Sequence, residues 1–145
     1  MAQDQIGRFV DPKAVVETGM RAWAALDIDA ALVCFAPGAV HVLHVSETAL
    51  AFGGETVGHA AIRARFLAMH DQFEYLLYRP MNFRAEGDVV RGTVEFMYRH
   101  RASGEILSGQ SRKVMTVRGG LITRFDEYHD AARIEAFMRL FGTSA

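Results

Sequence analysis

The sequence predicts one α+β domain, a curved antiparallel sheet wrapped around N-terminal helices. Two observations carry this. Apolar residues recur at helical three-and-four spacing through the first half of the chain, and from Phe73 onward the period shortens to that of strands separated by short turns. At 145 residues, one hydrophobic core is expected and a second domain is not.

Asp11 followed by Pro12 reads as an N-cap with proline at the first helical position, and Val15, Val16, Gly19, Met20, Ala22, Trp23 and Leu26 form one face, so a helix spans about residues 12 to 26. Asp27 and Asp29 mark a new start, and Ala30 to Ala36 reads as a short second helix ended by Pro37-Gly38. Ala39 to Val45, rich in β-branched residues, reads as a strand. Phe52 to Gly58 is a loop on its glycine content, opening onto a third helix in which Ile62, Phe66, Met69 and Phe73 share a face. Residues 73 to 85, 89 to 101, 106 to 117 and 121 to 128 read as four strands of an antiparallel meander, with turns at Glu86-Gly87-Asp88, Ala102-Ser103-Gly104 and Arg118-Gly119-Gly120. Asp130 then caps a final helix carrying Ile134, Phe137, Met138 and Phe141.

Half of the residues are apolar or aromatic, and 16 basic side chains face 17 acidic ones. This balance gives no electrostatic footprint for nucleic acid or an anionic membrane. The first residues, Met1 to Asp4, hold no basic region before an apolar run, and no stretch approaches a membrane span; with a single cysteine, Cys34, cytoplasmic residence is the plainest expectation. Six histidines invite a metal site, but none of them stand at ligand spacing on a helix. His41 and His44 are three apart on a strand and face opposite sides. A site assembled from His100, His129 and Glu127 is the remaining option, and no metal or other cofactor is expected. Gly53-Gly54-Glu55-Thr56-Val57-Gly58 lacks the lysine and spacing of a phosphate-binding loop.

Three segments resemble the nuclear transport factor 2-like superfamily in its SnoaL-like branch, which includes polyketide cyclases, ketosteroid isomerases and limonene epoxide hydrolases. They are Asp27 to Phe35 with Ala39-Val40, Gly58 to Phe66, and Gly120 to Asp130. The resemblance covers about residues 12 to 141 of a single domain, residues 1 to 145. It implies a cone-shaped sheet enclosing a pocket for a small organic molecule. It also implies a homodimer through the outer sheet face, where Ile122 and Tyr128 would stand beside Arg124 and Asp126.

Within that frame the candidate site residues follow from strand alternation. On the 89 to 101 strand, Val94, Phe96, Tyr98 and His100 are the less charged set and point inward; a one-residue bulge would instead turn in Glu95, Met97 and Arg99. On the last strand Phe125, Glu127 and His129 share the pocket face. The family pattern places a catalytic acidic residue at Glu127, and burial of a carboxylate in an apolar cavity is expected to raise its pKa; a structural ion pair with an arginine is the other reading. Arg112 takes the place of the isomerases' oxyanion-hole aspartate, where it either faces the pocket or is solvated. The isomerase base falls near Leu43, with His41 and His44 as the nearest titratable neighbours, and the isomerase tyrosine falls near Gly19. His44 is the candidate replacement base, or else a packing residue. Trp23 and Tyr75 are candidate wall residues. The expected activity is cofactor-free isomerisation, cyclisation, hydration or hydrolysis using Glu127, Arg112 and His44; the alternative is a non-catalytic ligand-binding or interaction module.

Overall fold

The computed structural model describes residues 10–142, so Met1 to Asp4 lie outside the described residues. Helix α1 spans Pro12–Ala24 and α2 spans Ile28–Val33. Strands β1 (Phe35–His44) and β2 (Gly54–Val57) precede helix α3 (His59–Gln72). The meander β3 (Phe73–Glu86), β4 (Val89–His100), β5 (Ile106–Arg118) and β6 (Leu121–Tyr128) leads into α4 (Ala131–Phe141).

The caps read from the sequence are formed. The carboxylates of Asp11, Asp27 and Asp130 accept from the amides of Lys13, Ala30 and Arg133 respectively, each satisfying an orphan donor of a first turn. Helix α1 stops earlier than its apolar periodicity, because Leu26 takes φ 64° and turns the chain toward α2. Phe35 and Ala36, expected as the end of the second helix, instead begin β1, and Pro37-Gly38, expected to end that helix, occupies a bulge between Phe35 and Val40. The glycine-rich loop contains the short strand β2, hidden in the sequence because only four residues alternate there.

The six strands form one open sheet in the order β2-β1-β6-β5-β4-β3. Its pairings are antiparallel apart from β1 with β6, which run parallel, the connection passing through β2, α3 and the meander. Register shifts in β1, β3 and β5 or β6 bend the sheet so that one face is concave. Val16 and Met20 of α1 and Ile62, Phe66 and Met69 of α3 are buried with the concave-face residues Val94, Met115 and Ile122. Helix α4 places Phe137 against Phe73 and His100, at the end of β3 and β4.

Candidate functional site

Strand parity decides which polar side chains enter the concavity. On β1 the buried positions Ala39, His41 and Leu43 alternate with Val40, Val42 and the exposed His44. On β5 the buried Leu107, Ser111, Lys113, Met115 and Val117 alternate with the exposed Arg112. On β6, Phe125 and Glu127 face inward while Arg124, Asp126 and Tyr128 face outward, and across the sheet Lys113 is the register partner of Glu127 on one side and Leu43 on the other. Three side chains able to carry charge are thereby gathered on the inward face: Glu127 8% exposed, Lys113 3% and His41 0%.

These three are joined. Lys113 Nζ donates to Glu127 Oε2 at 2.8 Å, and His41 Nε2 lies 2.8 Å from Glu127 Oε1. Arg65 of α3, anchored on the Gly53 and Gly54 carbonyls, directs Nη1 at His41 Nδ1 across 3.4 Å. A guanidinium only donates, so Nδ1 is the acceptor and Nε2 carries the proton given to Glu127. His129 Nε2 stands 3.7 Å from Glu127 Oε2.

The expected rise in the Glu127 pKa is corrected. Burial does push it upward, but the Lys113 charge, the nearby His129 imidazole and the hydrogen bond from His41 outweigh that and hold the carboxyl well below its ordinary range. Burial, with the nearby Glu127 charge adding to it, raises the phenols of Tyr75 and Tyr78, and burial likewise leads the rise at Tyr98. All three are hydrogen-bond donors at neutral pH.

Two cavities flank the carboxylate. One, of about 480 Å³ including its opening to solvent, has walls from Trp23, Phe35, Phe66, Tyr78 and Phe125, with Gly19 and Met20 of α1 on one side and Lys113 on the floor. The other, of about 470 Å³ on the same measure, is lined by Leu43, Leu50, Phe52, Met69, Leu107, His129 and Ile134. Tyr75, Tyr98 and Glu127 belong to both.

Of the residues singled out from the sequence, Glu127, Trp23, Tyr75, Tyr98, Phe125 and His129 line these cavities. Phe96 sits behind them, its ring stacked on Tyr98 at 4.4 Å. His100 is buried against Phe73 and Phe137 with Nδ1 on the Ser103 hydroxyl, away from both cavities. The bulge that would have turned Glu95 inward does not occur there: Met97 and Arg99 are exposed and Glu95 pairs with Arg79.

Three expectations are corrected. Arg112 lies on the outer face, its guanidinium 5.2 Å above the Tyr128 ring, because the alternation set by Met115 and Val117 turns its neighbour Lys113 inward. His44 also lies outside, bonded to Asp126 at 2.9 Å and stacked on Tyr128. The inward imidazole is His41, which shares a strand face with Leu43. Ile122, expected on the outer face, is 1% exposed and lines the first cavity, since the shift between Thr116 and Val117 changes the parity of β6. Among the described residues, no three metal-ligating side chains are placed to hold an ion.

The family model described as SnoaL-like domain matches residues 16–125. No curated protein sequence matches the chain. Among solved structures, an NTF2-like protein of unknown function from Burkholderia pseudomallei K96243 is similar with a TM-score of 0.80 at 17% identity, covering 92% of this chain and 100% of that one. TerC, co-crystallised with polyporic acid, gives 0.75 at 20% identity over 92% and 100%. A protein with a ketosteroid isomerase-like fold from Catenulispora acidiphila DSM 44928, in complex with trimethylamine, gives 0.71 at 18% identity over 83% and 88%. At these identities the likeness is one of fold.

Proposed function

The chain belongs to the SnoaL-like domain family, and from that premise we propose that it is a cofactor-independent enzyme acting on a small, mostly apolar organic substrate by general base catalysis. The observation that carries this is the placement of Glu127, a carboxylate held ionised in the wall common to two apolar cavities. An ionised carboxylate can take a proton from a carbon beside a carbonyl, or from a water attacking a ring carbon whose bond to the ring oxygen then breaks, the freed oxygen taking up a proton; these are the opening steps of isomerisation, cyclisation and hydrolysis. It cannot be the resting general acid. His41, fixed by Arg65, positions the carboxylate, and the Tyr75 and Tyr98 phenols, in the wall of both cavities, are the donor candidates for an oxygen that gains charge. TerC and the Catenulispora protein, which share the fold, were each crystallised with a small organic compound, in keeping with such a cavity.

A second reading, a non-catalytic binding module, has its own support: both Glu127 oxygens already accept hydrogen bonds, and Leu43 and Gly19 stand where the resemblance places an isomerase base and tyrosine. Thermal-shift screening with apolar ketones, lactones and epoxides, followed by turnover assays of the stabilising compounds, separates the two. Under the enzymatic reading Glu127→Gln folds but loses a factor of about 10²–10⁴ in kcat. An unchanged rate removes Glu127 from the chemistry.

We also propose cytoplasmic residence and a homodimer formed through the outer sheet face. Among the described residues no helix is long and apolar enough to cross a membrane. The outer face mixes Val40, Val42 and Tyr128 with the Arg124–Asp126–His44 cluster. Sedimentation at micromolar concentration should give twice the chain mass; a monomer there counts against the pairing.

A further inference from the structure

We infer that Lys113 selects the charge of the ligand, and that the cavity takes an aromatic or conjugated molecule carrying an oxyanion: an enolate, a phenolate or a carboxylate. This rests on the cavity being a ligand site, as proposed above, and adds the substrate class.

The inference starts from the donor inventory. An ammonium has three N–H groups, and Lys113, 3% exposed, has one acceptor among the described residues, Glu127. Its other neighbours are ring faces, with Phe125 at 5.4 Å and Tyr78 at 5.9 Å from Nζ to ring centre. Burying a cation with donors left over is costly in an apolar interior, and a ligand oxygen at the floor of the first cavity would accept what Glu127 leaves.

The walls sharpen the class. Trp23, Phe35, Phe66, Tyr75, Tyr78 and Phe125 surround that floor, and the rings of Tyr75, Tyr78 and Tyr98 run as a stack along β3 and β4. Aromatic walls with a carboxylate ordinarily recognise a cation. Here Lys113 already holds that place, so a ligand amine would meet a like charge, while an anionic oxygen would be met by Nζ with its ring against the aromatic walls. The charges facing the site agree. In the cavity wall Lys113 is positive and Glu127 negative, with Glu127 covered by Lys113 on one oxygen and by the His41 N–H on the other, and Arg65 stands behind His41. The phenols of Tyr75, Tyr78 and Tyr98 stay protonated and add donors. A further consequence joins this to the chemistry: as Lys113 turns to a ligand oxygen it relaxes its hold on Glu127, which then binds a proton more readily than in the empty site.

Three probes of one shape and different charge test the inference by calorimetry at neutral pH: benzoate, benzamide and benzylammonium. The wild-type protein is expected to bind benzoate at least tenfold more tightly than benzamide, and benzylammonium more weakly than either. In Lys113→Met the order is expected to invert, since the ring-walled carboxylate is then free for a cation. Should that variant fail to fold because Glu127 is left unpaired, the uncharged double variant Lys113→Met/Glu127→Gln decides, with benzoate and benzamide expected within threefold of each other. Benzylammonium binding as tightly as benzoate to the wild type, a benzoate preference that survives in the double variant, or no benzoate binding at millimolar concentration would each overturn it. The readout is affinity. A Glu127→Gln variant that keeps its turnover therefore defeats the base assignment alone, and a wrong probe order defeats the charge assignment alone.

Discussion

Glu127 titrates against the ordinary direction for a carboxyl in an apolar cavity, and the sign of its effect on stability follows. Its pKa is well below the ordinary value of 4.5 in the folded chain, so between the two values the unfolded state binds more protons and stability rises with pH. That contribution is complete above about pH 4.5 and is lost as pH falls through the folded-state value. Asp126, held low by Arg124 and His44 against its burial, acts in the same sense. The Glu127 share is therefore isolated by difference: melting temperatures of wild type and Glu127→Gln from pH 7 to pH 3 should converge on acidification, and a constant gap would mean that the ion pairs contribute nothing. Glu127 was legible because it shares a strand face with Phe125 and the family resemblance puts that face in the pocket. Lys113 and His41 were not, since each is one half of a pair of adjacent or near-adjacent polar residues, Arg112 with Lys113 and His41 with His44, and a single step of register exchanges their faces.

At the scale of elements, two glycines set opposite expectations. Gly19 sits mid-helix in α1, where a Cβ would meet Cys34 at 3.6 Å, an ordinary contact. Gly19→Ala should therefore gain about 0.5–1 kcal/mol in urea titration, while narrowing the first cavity that it lines. Gly92 in β4 lies beneath the Phe83 ring, which a Cβ would approach to 2.4 Å. Gly92→Ala should cost about 1–3 kcal/mol as the ring is displaced. Equal and small effects at both positions would contradict this packing. The elements themselves were largely legible: Asp11, Asp27 and Asp130 announce three helix starts, and the glycine turns at 87, 104 and 119–120 delimit the meander. What failed was local. Residues 35 to 38 have no periodicity that separates a helix end from a bulged strand, and β2 is a strand only because β1 supplies its partners.

For the whole molecule, the high apolar fraction resolves into packing between helices and the concave face, two cavities sharing one carboxylate, and an outer face with a polar cluster proposed to meet a second copy. The amino-acid sequence by itself determined the α+β class and the order of helices and strands, because periodicity, capping and turn chemistry are local and survive without knowledge of neighbours, while the inward placement of Phe125 and Glu127 came from the family resemblance. Tertiary structure alone decided that β1 runs parallel to β6, that Lys113 and His41 close on Glu127, and that Arg112 and His44 do not. Those outcomes depend on register between strands up to 86 residues apart and on bulges whose position no local pattern marks. The protonation state of the site follows from them, since a carboxylate left alone in that cavity would be raised and the same carboxylate between a lysine and a histidine is lowered.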